Sequence, residues 1–323
     1  MLWFKITLIV IAALLLIFFV SYVIFGLNIF KMPKNINDRI LRVFGKISKG
    51  LIVGAISLFF LIPIWIMIAA SFTDSIAFAQ NGYSFIIPKF SVTAYAYIFS
   101  NKDILRGLLN STLFTVIVTA CSLVVNTLAA YALSEKKMPG NKILNKIFVF
   151  TMLFSTGMVP IVLVMRQIGM YNKATALIIP AIINVYNILL IRNYLYSIPD
   201  SLKEAAQIDG SGYLRTFIKV ILPASVPIIA TTGMMAFVLK WNSYMDILYY
   251  LEPGEANKQL WTIQYVIMDM LMNFEPSSEQ FGILNKYVIQ SGTIIVTIIP
   301  LLIAFPFVQK YFEKGLTMGA VKE

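Results

Sequence analysis

The sequence predicts an all-α polytopic membrane protein, and three observations support this fold class. Hydrophobic residues make up 59% of the 323 residues and charged residues only 13%, whereas soluble chains contain about 45–50% apolar and about 25% charged residues. The mean hydropathy is +0.81. Several apolar stretches reach the length of about 20 residues that a helix needs to cross a bilayer, and none alternates like a β-barrel strand.

Seven stretches have this length. The first, residues 6–27, is bulky and aromatic and has no small-residue cleavage site after it. We therefore interpret it as a retained transmembrane helix, with a cleaved signal peptide as the alternative. The sequence thus predicts an extra N-terminal helix within residues 1–36 and a six-span domain over residues 37–323. The six spans are predicted at residues 50–71, 111–133, 147–165, 174–196, 220–240 and 291–309.

Lysine and arginine residues gather on one side of these spans. They dominate residues 31–49, 135–146 and 203–219, and simple alternation puts these three segments on the same side. The positive-inside bias makes that side cytoplasmic. The six-span domain then begins and ends in the cytoplasm, the extreme N-terminus is external, and the long, mostly acidic loop 241–290 is external. This distribution explains the net charge of +11 without a nucleic-acid partner.

The composition argues against several kinds of catalytic site. The chain has no histidine, the commonest general base and a common zinc ligand. Its single cysteine, Cys121, cannot form an internal disulfide. An intramembrane enzyme needs a nucleophile and a base, and the spans contain no such pair. We therefore expect no catalytic residue, no metal site and no cofactor in this chain.

The most informative segment is residues 198–223, predicted to be cytoplasmic. Pro199 and Asp200 end the preceding span. Ser201 and Glu204 have the spacing of a capping box, which predicts a short helix beginning at Ser201.

Small residues shape the rest of this segment. Ala205 and Ala206 give the short helix a patch on which another protein can pack closely. Gly210 stands where a residue with positive φ would end the helix. A second helix then returns to the membrane, so the segment can transmit force from a cytoplasmic partner to the next span.

This segment carries a long motif of fixed spacing: Glu-Ala-Ala at 204–206, glycine at 210 and Leu-Pro at 222–223. The motif resembles the EAA signature of ABC importer permeases. With Asp209 before the glycine, it is similar to the carbohydrate-uptake branch. Further segments resemble oligosaccharide permeases related to the inner subunit of the maltose transporter, namely residues 129–140, 155–172, 177–202, 241–246 and 311–323.

The resemblance covers residues 37–323 and implies a six-helix, type I permease core in a bacterial cytoplasmic membrane. It implies an ATP-driven importer of oligosaccharides or polysaccharide fragments. The implied partners are a second homologous permease, two ATPase subunits that bind ATP and Mg²⁺, and an extracellular sugar-binding protein. In that family the EAA helix docks on the ATPase, so the implied coupling residues are Glu204, Ala205, Ala206, Asp209 and Gly210.

The sugar path is predicted from planar rings beside amide side chains, since sugar sites combine the two. Polar residues within spans usually face a cavity or another helix. Interhelical hydrogen bonding is therefore at least an equal alternative for Asn184 and Asn187. For each single ring, packing or an interfacial belt is the favoured alternative. In the resembling family, one permease can hold the sugar while the other closes the path. The predicted path residues are Asn184, Tyr186, Asn187, Trp241, Asn242 and Tyr244.

A secondary, ion-coupled transporter is the alternative function. Such a protein usually places ionisable residues in the middle of the membrane. Here Arg166, Arg192 and Lys240 lie near predicted span ends. A structural scaffold is compatible with the composition but leaves the EAA pattern without a purpose.

Overall fold

The computed structural model describes residues 34–135, 138–154, 156–252, 254–273 and 284–320. Within these ranges the ordered elements are helices, and the one β-bridge joins Thr73 to Phe90. The chain divides into two compact units, one up to Ser91 and one from Val92. The predicted first span, residues 6–27, lies outside the described residues, so the extra helix stays a prediction.

The first unit contains two helices, α1 (Lys34–Ser71) and α2 (Ser75–Asn81). The predicted span 50–71 is the apolar part of α1, but the helix already begins at Lys34, within the basic segment that was predicted to connect two spans. From Lys34 onward this segment has no proline, and its lone glycine, Gly45, does not stop a helix. The Asp74 side chain caps α2 by accepting from the Ile76 and Ala77 N–H groups.

The second unit is a succession of longer and shorter helices. It also contains a 3₁₀ turn at Glu255–Leu260. The helices are α3 (Thr93–Ser100), α4 (Lys102–Ser134), α5 (Asn141–Leu153), α6 (Met158–Gln167), α7 (Ala174–Ile182), α8 (Val185–Leu195), α9 (Asp200–Ile208), α10 (Tyr213–Ala224), α11 (Val226–Trp241), α12 (Met245–Tyr250), α13 (Ile263–Asn273) and α14 (Lys286–Ala320).

The described residues hold four helical segments long and apolar enough to cross a membrane, or up to six if each of two bent helix pairs counts as one span. This agrees with the predicted six-span core. The four are Gly50–Ser71, Lys102–Ser134, Ala174–Leu195 and Lys286–Pro306; the bent pairs are α5 with α6 and α10 with α11.

Two predicted spans, 147–165 and 220–240, are each a bent pair of helices. The first is interrupted before α6, where Gly157 has a φ of +75°. In the second, α10 and α11 meet at an angle of 78° around Ser225. Pro223 and Pro227 flank this bend, and proline lacks the N–H that would continue the helical ladder.

The predicted external connections contain structure of their own. Residues 241–273 include α12, the 3₁₀ turn and α13, and this segment is fastened to α4. The Asn110 amide donates to the carbonyls of Gln259 (2.8 Å) and Trp261 (2.9 Å). The Ile263 N–H donates to Ser111 Oγ at 2.9 Å.

Helix α4 is the centre of the second unit, since it packs against α7, α8, α11 and α13. Two glycines allow the closest approaches. A Cβ at Gly107 would lie 3.2 Å from the Ile263 backbone, and a Cβ at Gly233 would lie 3.1 Å from a Leu123 methyl group.

One apolar cluster joins the ends of α4 and α8 to α10. Its members are almost fully buried, and the Tyr131 ring lies 4.7 Å from the Phe217 ring beside it. The cluster therefore fixes α10 to the bundle. It consists of Ala130, Leu133, Ile188, Ile191, Leu195, Ile198, Phe217 and Ile221.

We expect Gly107→Val to destabilise the protein by about 1–3 kcal/mol, the usual cost of overpacking, because the backbone of α13 cannot move away without breaking its bond to Ser111. Thermal unfolding of the purified chain in detergent measures this as a lower melting temperature. Gly54→Val is the matched control, since nothing lies within 4 Å of a Cβ at Gly54. Equal melting temperatures for the two variants would contradict the close packing of α4 and α13.

Candidate functional site

Helix α9 is the predicted short helix of the EAA motif. It begins at Asp200, one residue before the predicted start, and the Leu202 N–H donates to the Pro199 carbonyl at 3.2 Å. Ser201 and Glu204 therefore lie inside the helix, and the predicted capping box is wrong. The acidic side chain of Asp200 in the first turn favours the positive end of the helix dipole.

The C-terminal end of α9 agrees with its prediction. Gly210 has a φ of +76°, which a residue with a side chain rarely adopts. The Ser211 N–H donates to the Ala206 carbonyl at 2.9 Å, the six-to-one bond of a Schellman motif. The motif glycine is thus a helix stop that turns the chain sharply into α10.

The motif residues face different directions. Glu204, Ala205, Asp209 and Gly210 are exposed, whereas Ala206 is only 9% exposed and packs within the chain. The predicted small-residue patch is therefore split. Ala205 is available to a partner, and Ala206 lets α9 lie close to its own subunit.

Exposed apolar side chains surround Ala205, and the sequence reasoning missed them. Leu202 and Ile208 lie on the same side of α9 at spacings of three residues, and Ile208 is 87% exposed. Tyr213 and Leu214, at the start of α10, are also exposed. We call these five residues the docking edge. The repeat of apolar residues at 202, 205 and 208 in a polar helix was the available signal.

Helix α10 links this edge to the bundle. Residues Phe217–Ile221 form a π-helical turn, an element often found at functional sites. Phe217 and Ile221 are buried in the apolar cluster. The Tyr131 hydroxyl donates to the Tyr213 carbonyl at 3.3 Å. These contacts join the docking edge to α4 and α8.

A second candidate site lies where the span Ala174–Leu195 is interrupted, at Ile183 and Asn184 between α7 and α8. A break leaves backbone groups without helical partners, and lipid cannot satisfy them. The buried side chain of Asn126 does so. Its Nδ2 donates to the Ile182 carbonyl and to Ser122 Oγ, and its Oδ1 accepts from the Asn184 N–H.

A polar cavity of about 210 Å³ opens beside this break. It contains an ion pair, in which Lys240 Nζ lies 2.6 Å from Asp246 Oδ2 and also donates to the Leu177 carbonyl at 2.6 Å. Lys240 is 6% exposed. The cavity is lined by Val118, Ser122, Pro180, Ala181, Ile183, Asn184, Ala236, Leu239, Lys240, Ser243 and Asp246.

One titratable group beside this cavity, Tyr250, has a shifted pKa. Burial raises the pKa of the Tyr250 hydroxyl above its ordinary value, and the neighbouring Asp246 carboxylate adds to the rise. Tyr250 is therefore neutral at physiological pH. The charges at the cavity wall are those of Lys240 and Asp246, which cancel.

The structure separates the predicted path residues. Asn184 lines the cavity, and its Oδ1 caps α8 by accepting from the Asn187 N–H. Asn187 is buried, and Trp241 is 2% exposed and stacked on Phe237.

The remaining three predicted residues have different settings. Tyr186 and Asn242 are exposed, and the Asn242 amide donates to the Val238 carbonyl. Tyr244 is half-buried at the start of α12. The sequence reasoning did not include Ser122, Lys240, Ser243 or Asp246 among the candidates. Only the folding of α4, α11 and α12 brings these four to one cavity.

Comparison with known proteins decides the family. The chain is 37% identical over 281 residues to the polygalacturonan/rhamnogalacturonan transport system permease protein YtcP of Bacillus subtilis, a match covering 84% of this chain and 97% of that protein. This chain is a carbohydrate ABC importer permease. No protein-family model matches it.

Other members of the family agree. Protein LplC of Bacillus subtilis is 33% identical over 288 residues, with 88% of this chain and 97% of LplC covered. The arabinooligosaccharides transport system permease protein AraQ of Halalkalibacterium halodurans is 27% identical, with 80% of this permease and 90% of AraQ covered.

A solved structure matches as well. The crystal structure of a bacterial ABC transporter involved in the import of the acidic polysaccharide alginate contains a chain that superimposes on this permease with a TM-score of 0.75. That chain is 29% identical, and the match covers 85% of this permease and 98% of that chain. The secondary-transporter alternative receives no support from any of these relatives.

We expect Gly210→Ala to loosen the end of α9, because alanine is strained at a φ of +76°; the cost is about 1 kcal/mol. Hydrogen–deuterium exchange of the purified permease measures this as faster exchange of the amides around residues 206–211. Gly212→Ala is the matched control, since Gly212 has a φ of −72° and open space around it. Unchanged exchange in Gly210→Ala would contradict the helix stop.

Proposed function

We propose that this permease pairs with a second, homologous permease and with two ATPase subunits that bind ATP and Mg²⁺, and that it receives oligosaccharides from an extracellular sugar-binding protein. The observation that carries the proposal is the docking edge. It is an exposed apolar strip on a short helix, clamped to the bundle through α10. Exposed apolar strips of this kind mark protein interfaces.

The ATPase would bind at the docking edge. Ala205 has almost no side chain, so a partner can approach the backbone of α9 there, while Leu202 and Ile208 enter apolar pockets on either side. Glu204 and Asp209 flank the edge with negative charge. Arginine side chains of the ATPase would pair with these carboxylates.

This arrangement supports a lever mechanism. ATP binding draws the two ATPase subunits together and moves α9 with them. The apolar cluster passes this movement to α4 and α8, and the 78° bend at Ser225 passes it to α11. ATP, the loaded binding protein and the sugar each shift the equilibrium by their difference in affinity for the inward-open and outward-open states.

The proposed topology follows the basic residues. The start of α1, the α4–α5 connection, α9 and the end of α14 would lie in the cytoplasm of a bacterial cell. The segment with α12 and α13 would lie outside, where the sugar-binding protein docks. The docking edge then faces the compartment that contains ATP.

The proposed substrates are oligosaccharides or polysaccharide fragments. The relatives named above serve polygalacturonan and rhamnogalacturonan, arabinooligosaccharides and alginate. Two of these three descriptions concern acidic polymers. Oligogalacturonates are therefore the first compounds to test, with neutral arabinooligosaccharides beside them.

The test of the function uses the whole transporter, purified from its native host through a tag on this permease and reconstituted in vesicles with its binding protein. We expect uptake of at least one of these sugars to require ATP and to be independent of ion gradients. Uptake driven by an ion gradient without ATP would contradict the proposal.

We expect Ala205→Arg to abolish uptake and the ATPase stimulation by the loaded binding protein, because the long charged side chain blocks the docking edge. Ala205→Ser is the matched control at the same position and should retain most uptake. The melting temperature of both variants should equal that of the unchanged permease, since Ala205 is exposed. Normal uptake by Ala205→Arg would refute the assignment of the docking edge.

A further inference from the structure

We propose that this permease itself holds one sugar ring of the passing oligosaccharide, in the polar cavity beside Ile183 and Asn184. The inference rests on the proposed function and answers which surface of this subunit meets the substrate. The ring would be recognised by its hydroxyl groups.

The break lies within a candidate membrane span. Ile183 and Asn184 stand halfway along the 22-residue span Ala174–Leu195. A helix of this length spans about 33 Å at about 1.5 Å per residue, close to the hydrocarbon thickness of about 30 Å. Non-helical backbone at this depth is tolerated only where protein buries it or where it lines a water-filled cavity. Here it lines a polar cavity.

The cavity retains unused hydrogen-bonding groups. Asn126 satisfies the backbone at the break, and the Asn184 Oδ1 is occupied by the Asn187 N–H. Among the residues that the structure describes, the Asn184 Nδ2 has no partner. The Asp246 Oδ1 and the Ser243 hydroxyl, on the α11–α12 side of the cavity, are likewise not engaged by the described part of the chain.

The charge balance favours hydroxyl groups as the ligand. The Lys240 ammonium and the Asp246 carboxylate neutralise each other at 2.6 Å, so the cavity has no net charge to attract a carboxylate. A hydroxyl group can both donate and accept. Adjacent sugar hydroxyls can therefore donate to Asp246 and accept from Asn184, while the ion pair stays intact.

The size and the apolar wall fit one ring. A cavity of about 210 Å³ equals the volume of about seven water molecules at about 30 Å³ each, and lies below the range of about 300–1,000 Å³ for drug-sized ligands. Val118, Pro180, Ala236 and Leu239 supply apolar surface for the C–H face of a sugar. The rest of the chain would extend toward the partner permease.

The competing account is that Lys240 and Asp246 only fasten α11 to α7 through the Leu177 carbonyl. That role needs no sugar and predicts no effect of sugar on the reactivity of groups in the cavity. A cysteine at position 243 separates the two accounts, since Ser243 is half-buried at the cavity wall.

The experiment uses Ser243→Cys in a Cys121→Ser background, within the whole reconstituted transporter supplied with its binding protein and ATP. The rate of alkylation by a small maleimide is measured with trigalacturonate, with arabinotriose and without sugar. We expect the sugar that is transported to slow alkylation of the cysteine at least fivefold. The control is Thr112→Cys, on the exposed side of α4, whose alkylation should not respond to sugar.

The outcomes separate this inference from the proposed function. ATP-driven uptake without protection at position 243, or with equal protection at position 112, would overturn the cavity site and leave the importer function standing. Failure of ATP-driven uptake for every sugar of the panel would overturn both. Protection confined to position 243 supports the site.

A second variant tests the same cavity without the cysteine substitution, so the proposal stays testable if the cysteine protein does not fold. Asn184→Asp keeps the Oδ1 that caps α8 and removes the Nδ2 donors. We expect it to raise the KM for sugar uptake about fivefold to tenfold, with the melting temperature unchanged. Thr112→Ala is the control and should leave KM as it is. An unaltered KM in Asn184→Asp would count against the sugar contact.

Discussion

The apolar cluster around Phe217 and Ile221 fixes the docking edge to the helix bundle. It joins α4, α8 and α10 through side chains that are almost fully buried. Close van der Waals packing of such side chains is a main force that holds helices together in a membrane. Without this clamp, α9 would be a loosely attached helix of nine residues, too short to be stable by itself in water. With it, the docking edge becomes a rigid extension of the bundle.

The same helices carry polar groups where the backbone departs from helical geometry. Asn126 replaces the hydrogen bonds lost between α7 and α8, and Ser225 lies at the bend between α10 and α11, where its hydroxyl donates to the Ile221 carbonyl. Two sites follow from these departures. One is the polar cavity beside the break between α7 and α8, and the other is the bend that connects the docking edge to α11.

Hydropathy and local motifs predicted the parts of this fold that depend on neighbouring residues. The six-span core and the positive φ of Gly210 belong to this group, because length, apolarity and glycine chemistry are local properties. The breaks at Gly157, Asn184 and Ser225 were missed, because a hydropathy window averages over a break that stays apolar on both sides. The start of α9 was misplaced by one residue, since Asp200 and Ser201 are both good residues for a helix start.

The candidate sites divide in the same way. The EAA motif located α9, but the burial of Ala206 depends on how α9 packs against its own subunit. The pairing of Lys240 with Asp246 was not predictable from spacing, since it requires α11 to end beside α7 and α12 to fold back. The Trp241 ring was predicted to lie on the sugar path, and in the structure it packs against Phe237. Packing was the alternative role that the sequence analysis had kept for this ring.

A photo-crosslink from the docking edge tests whether this surface contacts the ATPase. A benzophenone reagent is attached to Ile208→Cys in a Cys121→Ser background, the native membranes are illuminated, and the adducts are identified by mass spectrometry. The account predicts an adduct with the ATPase subunit, formed from the cytoplasmic side and altered in amount by ATP. An adduct with the extracellular sugar-binding protein, or with lipid alone, would contradict it.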